Sequence, residues 1–265
     1  MTIYNFILYF VLPALTLFLI FTSRYYYRKK QSQKMRFHMN EGLFFGNIIA
    51  PIVGMIAILG IYTTILNIQF LSDIRWELLT IFAIALLGLI IGIGIGGHIV
   101  AVSIEERIPK LLRVGELGRI LYFFHWPFGH KVPYVPTILI LYALILLDLF
   151  RGHNILLREN QFILLSISSV AVSVAATLNF IITNVTRVMY YAFLVLTLTI
   201  FAILNIESIT LVEHAVAFFF TSTFIYSTIF VALYRYLPFA SKKIDKLIKK
   251  NVIDLESPPE GEDEE

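Results

Sequence analysis

The sequence predicts an all-α fold, a polytopic bundle of transmembrane helices, and three observations support this prediction. Of the 265 residues, 58% are hydrophobic and only 15% are charged, and the mean hydropathy is +0.80. The apolar residues form runs close to the length of about 20 that crosses a bilayer as a helix. The basic residues cluster between these runs. An apolar surface of this extent would aggregate in water, so lipid is the expected solvent.

Seven segments are apolar enough to be predicted as membrane-crossing helices. The fourth is the shortest, and Pro133 and Pro136 lie near its start, where a missing backbone N–H costs little. The predicted spans are residues 3–22, 43–66, 78–102, 134–150, 161–182, 188–206 and 215–234.

The distribution of basic residues predicts the orientation of these spans. If the N-terminus lies outside, the segments 24–36, 105–133 and 183–187 and the tail from residue 235 face the cytoplasm, and together they hold 18 Lys and Arg residues. The outer segments hold three. Because loops rich in Lys and Arg stay on the cytoplasmic side, we expect an external N-terminus and a cytoplasmic C-terminus in a multi-pass protein of the cell membrane.

Composition divides the chain into three parts. Residues 1–237 form the predicted seven-helix transmembrane domain. Residues 238–255 carry apolar positions such as Ile244 and Ile248 opposite a row of lysines, a pattern typical of a basic amphipathic helix on an anionic leaflet. Residues 256–265 are acidic and are predicted to be a disordered tail. The predicted partners are therefore the lipid bilayer and anionic lipid headgroups at the cytoplasmic face, with no nucleic acid, while homo-oligomer formation is left open.

Small residues recur at helical spacing in two of the predicted spans. Such stripes allow close packing of helices in lipid, and the alternative interpretation is a polar or smooth face that lines a substrate path. The stripes are Gly88, Gly92 and Gly96 in the third span and Ser166, Ser169, Ser173 and Thr177 in the fifth.

Histidine and glutamate residues are concentrated on the predicted cytoplasmic side. His98 lies within the third span, and His125 and His130 lie on either side of a Pro–Phe–Gly sequence that could turn both rings towards it. With Glu105 or Glu106 as the carboxylate, these residues form a candidate metal site, and imidazole with carboxylate suits zinc or iron. Without metal, the same group could relay protons. The competing interpretation is that these side chains lie separately among the lipid headgroups. His38 and Glu41 lie on the same predicted side.

The sequence leaves the function open between three classes of membrane protein. Transport or small-ligand binding is favoured, with the hydroxyl residues of the fifth and seventh spans as a polar path. The alternatives are a metal-binding protein or enzyme that uses the histidine and glutamate residues, and an assembly or partner protein. Cysteine is absent, which excludes thiolate metal sites. The predicted spans contain no lysine, which excludes a retinal Schiff base.

Overall fold

The computed structural model describes residues 35–36, 39–40, 44, 48–68, 74–105, 107–108, 115–151 and 157–251. The predicted first span at 3–22 and the predicted acidic tail at 256–265 lie outside these described residues. Glu106 and the pair His38 and Glu41 also lie outside them.

The described part of the chain is helical apart from short connections and one two-residue antiparallel pairing of β1 (Met35–Arg36) with β2 (Met39–Asn40). A π-helical segment (Phe124–Lys131) joins α3 to α4, and a short 3-10 turn (Leu211–Glu213) precedes α7. The helices are α1 (Ala50–Ile68), α2 (Ile74–Glu105), α3 (Gly115–Phe123), α4 (Val132–Arg151), α5 (Glu159–Ile182), α6 (Thr186–Ile206), α7 (Ala215–Tyr236) and α8 (Pro238–Asn251).

Five stretches of the described residues are helical, long and apolar enough to cross a membrane, and they correspond to the predicted third to seventh spans. The all-α, multi-pass prediction is therefore confirmed, whereas the count of seven goes beyond the described chain. In the predicted second span, α1 contributes a shorter apolar stretch, Ala50–Tyr62. The five stretches are Leu79–Glu105, Gly115–Phe150, Glu159–Ile182, Thr186–Ile206 and Ala215–Tyr236.

Helix α7 lies at the centre of the bundle and packs against α4, α5 and α6. Its residues Phe219 and Phe224 are among the largest fully buried side chains. Two hydroxyls of α5 donate to its backbone: Ser169 to the carbonyl of Phe219 (3.1 Å) and Ser173 to that of Thr223 (2.9 Å). Both contacts advance by four residues on each helix, so α5 and α7 run parallel, with α6 between them in the chain.

The two ends of the bundle carry different polar groups. Near the N-terminus of α4, Tyr134 accepts a hydrogen bond from Asn179 of α5, and the histidines lie at this same end, which we call the histidine end. At the other end, Asp148 of α4 meets the first turn of α7, and we call this the Asp148 end. Large apolar side chains cover the outer faces of the helices, as lipid contact requires.

Among the described residues, the predicted glycine face of α2 makes a neighbouring contact only at Gly88, where a Cβ would lie 3.5 Å from Met55 Cε. Apart from the backbone of α2 itself, no described atom lies within 4 Å of a Cβ placed at Gly92 or Gly96. A Cβ at Gly94 would instead lie 2.7 Å from Pro133 Cδ, and one at Gly97 would lie 2.9 Å from Phe128 Cε1. The close approach between α2 and the next span therefore uses different glycines, and it lies directly beside His98.

Candidate metal centre

Three imidazoles from two separate elements meet at the histidine end. His98 comes from α2, and His125 and His130 come from the π-helical segment. One ring nitrogen of each histidine lies within 4.8 Å of the corresponding atoms of the other two. The ring centroid of His98 is 4.9 Å from that of His125 and 4.5 Å from that of His130.

The π-helical segment explains how two histidines five residues apart reach the same neighbour. In an α-helix with 3.6 residues per turn, side chains five apart differ by about 140° around the axis. A π-helix closes hydrogen bonds from i to i+5, so residues five apart lie nearly above one another. The segment contains Pro127, which lacks the N–H that a regular α-helical ladder would use. The local sequence therefore favours the irregular turn that brings His125 and His130 together.

Gly129 provides the space that the cluster needs. A Cβ at this position would lie 2.6 Å from the carbonyl oxygen of Phe124 and 2.7 Å from Cβ of His98. Real Cβ atoms do not approach other atoms so closely, and the first of these neighbours is backbone. The backbone of the π-helical segment can therefore lie against His98 only because residue 129 is glycine.

Hydrogen bonds orient two of the rings. His98 Nδ1 lies 3.2 Å from the backbone carbonyl of His125, and because a carbonyl only accepts, Nδ1 is the donor and Nε2 carries the lone pair. His98 Nε2 is buried and has no hydrogen-bond partner among the described residues. His125 Nδ1 donates to Glu105 Oε2 at 2.6 Å, which leaves His125 Nε2 as the basic nitrogen as well.

The cluster is buried on one side and partly open on the other. His98 and His130 are 2% and 7% exposed, whereas the side chain of His125 is 20% exposed. The indole of Trp126 stacks on His125 with an angle of 12° between the rings, and its centroid is 5.2 Å from those of both His125 and His130. His125 is therefore the most exposed member of the cluster.

The structure brings together His98, His125 and His130 from the sequence-predicted set, and it places Glu105 in hydrogen-bond contact with His125. Glu105 lies two turns beyond His98 on α2, and its Oε2 accepts the hydrogen bond of His125 Nδ1. The other ring nitrogen of His125, Nε2, is the one left to bind a ligand. Sequence reasoning did not single out Trp126. Its place directly after His125 would have been the available signal, since neighbours in a π-helical turn remain close.

The hydroxyl stripe of α5 serves a helix contact over part of its length. Ser169 and Ser173 are fully buried and donate to α7 carbonyls as well as to carbonyls of their own helix. The buried hydroxyls of Thr177, Thr221 and Ser227 have no hydrogen-bond partner among the described residues.

Together, the apolar helices define a multi-pass membrane protein, with a three-histidine cluster near one end of its bundle. No known protein family, curated protein or solved structure shows significant similarity to this chain.

Proposed function

We propose that this chain is a membrane-embedded metal-binding protein whose site consists of His98, His125 and His130 and holds one Zn²⁺ ion. The single observation that carries the proposal is the convergence of three imidazoles, one nitrogen of each within 4.8 Å of the others. Two of these side chains are almost fully buried. A buried imidazole nitrogen without a partner is costly, and a metal ion would satisfy it.

The distances are close to those of a zinc site. Zinc–nitrogen bonds of about 2.0–2.1 Å in a tetrahedral site place two ligand nitrogens about 3.4 Å apart. Candidate nitrogens within 4.8 Å of one another therefore need to approach by at most about 1.4 Å. Small rotations of the rings would provide this movement without a change in the helices.

Glu105 acts in this proposal as the residue that orients His125 rather than as a fourth ligand. A carboxylate that accepts from one ring nitrogen fixes the tautomer and makes the other nitrogen a better ligand. The carbonyl of His125 has the same role for His98. Non-haem ferrous sites usually need a carboxylate as a direct ligand, so three histidines with Glu105 in an orienting role favour zinc over iron.

Three protein ligands leave a fourth position on the ion. In zinc enzymes this position holds a water molecule whose proton is released near neutral pH. The exposed edge of His125 marks the side from which water or another ligand would enter. The proposal therefore includes an exchangeable ligand but no assigned substrate.

The transport hypothesis has less support because its predicted polar path coincides in part with a helix contact. Ser169 and Ser173 use their hydroxyls to hold α5 against α7. A continuous path along this stripe would require that contact to open.

We further propose that the histidine end faces the cytoplasm, where α8 lies on anionic lipid. Tyr234 of α7 donates to Asp245 of α8, so the basic helix stays close to the bundle. Phe239 is exposed beside Lys243, the combination of apolar anchor and charge that binds an anionic leaflet.

Reporter fusions after Glu265 and within residues 152–156 are expected to place the C-terminus inside and residues 152–156 outside. A C-terminal reporter that is active only outside would contradict both the orientation and the position of α8.

The test of the metal proposal is the zinc content and zinc affinity of the purified protein. We expect one zinc ion per chain, and we expect the Glu105→Gln variant to bind zinc about tenfold or more weakly because a neutral amide orients His125 less well. Competition with a chelating dye measures both affinities.

Glu116→Gln is the matched control, because Glu116 is exposed on α3 at the same end of the bundle. It is expected to bind zinc like the wild type. Wild-type protein that retains no zinc after incubation with one equivalent would overturn the proposed function. Equal affinity of Glu105→Gln and wild type would remove the orienting role of Glu105.

A further inference from the structure

A second buried polar group lies at the opposite end of the bundle and is independent of the histidine cluster. Asp148, near the C-terminus of α4, is 0% exposed. Its Oδ2 accepts a hydrogen bond of 2.8 Å from the backbone N–H of Ala217. Its Oδ1 is buried and has no hydrogen-bond partner among the described residues.

Asp148 acts as a cap for a helix to which it does not belong. Helix α7 begins at Ala215, and the first N–H groups of a helix lack partners within it. The residue before the helix, His214, makes no side-chain cap for it. Its Nδ1 instead lies 2.8 Å from the backbone carbonyl of Asp148. The first turn of α7 is therefore held by α4 through both the side chain and the backbone of one residue.

The N-terminus of α7 favours a negative charge on this carboxylate, whereas its Oδ1 is buried without a hydrogen-bond partner among the described residues. A carboxylate is stabilised by the N-terminal end of a helix dipole, whereas a buried oxygen without a hydrogen-bond partner is costly. Protonation at Oδ1 would remove that cost but would weaken the bond that Oδ2 accepts from Ala217. The two protonation states of Asp148 thus hold α7 to different degrees.

The neighbouring ionisable groups are few among the described residues. His214 is buried in direct contact with Asp148. Glu213 is partly exposed in the turn before α7, and Arg158 and Glu159 are exposed at the start of α5. None of the hydrogen bonds or ion pairs described for this end joins a charged side chain to Oδ1 of Asp148.

We propose that Asp148 is a proton-binding site whose occupancy controls the attachment of the first turn of α7 to α4. A proton from water forms an O–H bond at Oδ1, the carboxylate becomes a neutral carboxyl, and its hydrogen bond with Ala217 weakens. Acidification at this end of the bundle therefore loosens the N-terminal turn of the central helix. The proposal does not depend on metal at the histidine end.

Hydrogen exchange measured by mass spectrometry on the full chain in nanodiscs tests this proposal. After correction for intrinsic exchange rates, the wild-type segment 215–223 is expected to lose protection about tenfold between about pH 8 and about pH 5, in the range of a lost cap. Asp148→Asn is expected to show the lower protection at both pH values, because its amide is neutral throughout. Glu213→Gln is the control at the same end and is expected to retain the wild-type pH response.

Infrared difference spectroscopy keeps the test decisive if Asp148→Asn does not fold. The wild type is expected to gain the carbonyl stretch of a buried protonated carboxylic acid as the pH falls, together with the loss of protection. Wild-type protection at 215–223 that is unchanged over this pH range would overturn the proposal. A pH response that persists in folded Asp148→Asn would assign the proton to another group and would also overturn it.

Discussion

Substitution of His98 by alanine is expected to lower the zinc affinity of the protein by more than about a hundredfold. This exceeds the tenfold to hundredfold loss that follows removal of a residue that only orients a ligand, because one of three direct ligands disappears. His98 is the least exposed of the three, and its Nε2 is buried without a hydrogen-bond partner among the described residues. The protein contains two tryptophans, so in a Trp76→Phe background Trp126, which lies beside the site, is the only tryptophan. Its fluorescence during titration with zinc gives the affinity directly.

Two further variants separate loss of a ligand from loss of structure. His98→Gln retains most of the side-chain volume, so it is expected to melt closer to the wild type than His98→Ala while binding zinc equally poorly. His153→Ala, two residues after the last residue of α4 in the sequence, should leave zinc binding unchanged. If His98→Gln and wild type bind zinc with the same affinity, the imidazole of His98 is not a ligand.

Replacing Gly129 by alanine is expected to abolish zinc binding without removing any ligand. The added Cβ would lie 2.6 Å from the Phe124 carbonyl oxygen and 2.8 Å from His98 Nδ1. Since the first contact is with backbone, rotation of a side chain cannot relieve it, and the π-helical segment must move away from α2. Overpacking of this kind costs about 1–3 kcal/mol. Zinc titration and thermal melting in detergent measure the two consequences.

Gly96→Ala is the matched control for this substitution. Gly96 lies on α2, two residues before His98, and a Cβ there meets no atom of another described element within 4 Å. It is expected to bind zinc and to melt like the wild type. Retention of wild-type zinc affinity by Gly129→Ala would show that the backbone of the π-helical segment does not need its close contact with His98.

The apolar runs predicted the described helices well because burial in lipid depends on composition and length. The third to seventh predicted spans reappear as helices, and residues 183–185 separate α5 from α6, as the two predicted spans 161–182 and 188–206 require. The face of each helix that contacts its neighbours was less predictable. Gly92 and Gly94 differ by about 200° around an α-helix, and the sequence alone does not specify which side a neighbouring helix will occupy.

The candidate site could be predicted in its members but not in its geometry. The uneven distribution of histidines pointed to His98, His125 and His130, and the prediction of a bend came from Pro127 and Gly129. A π-helical turn is rare, so a sequence pattern favours a loop there by default. The contact between Glu105 and His125 Nδ1 was also not predictable from the sequence. Whether Glu105 is proposed as a ligand or as an orienting residue depends on this contact. Asp148 lies within the predicted fourth span, but its partner in α7, Ala217, is 69 residues away in the sequence.

The positions of Asp148 and His130 along α4 have a consequence for access to the two buried sites. Helix α4 has 20 residues and extends about 30 Å at a rise of about 1.5 Å per residue, the thickness of the hydrocarbon core. Asp148 lies near the C-terminus of α4, and His130 lies two residues before its N-terminus. With Asp148 at one boundary of the hydrocarbon, His130 lies near the other. A metal ion bound by the histidines would then exchange with a single aqueous compartment, and a chelator added on the opposite side of a sealed membrane would leave it in place.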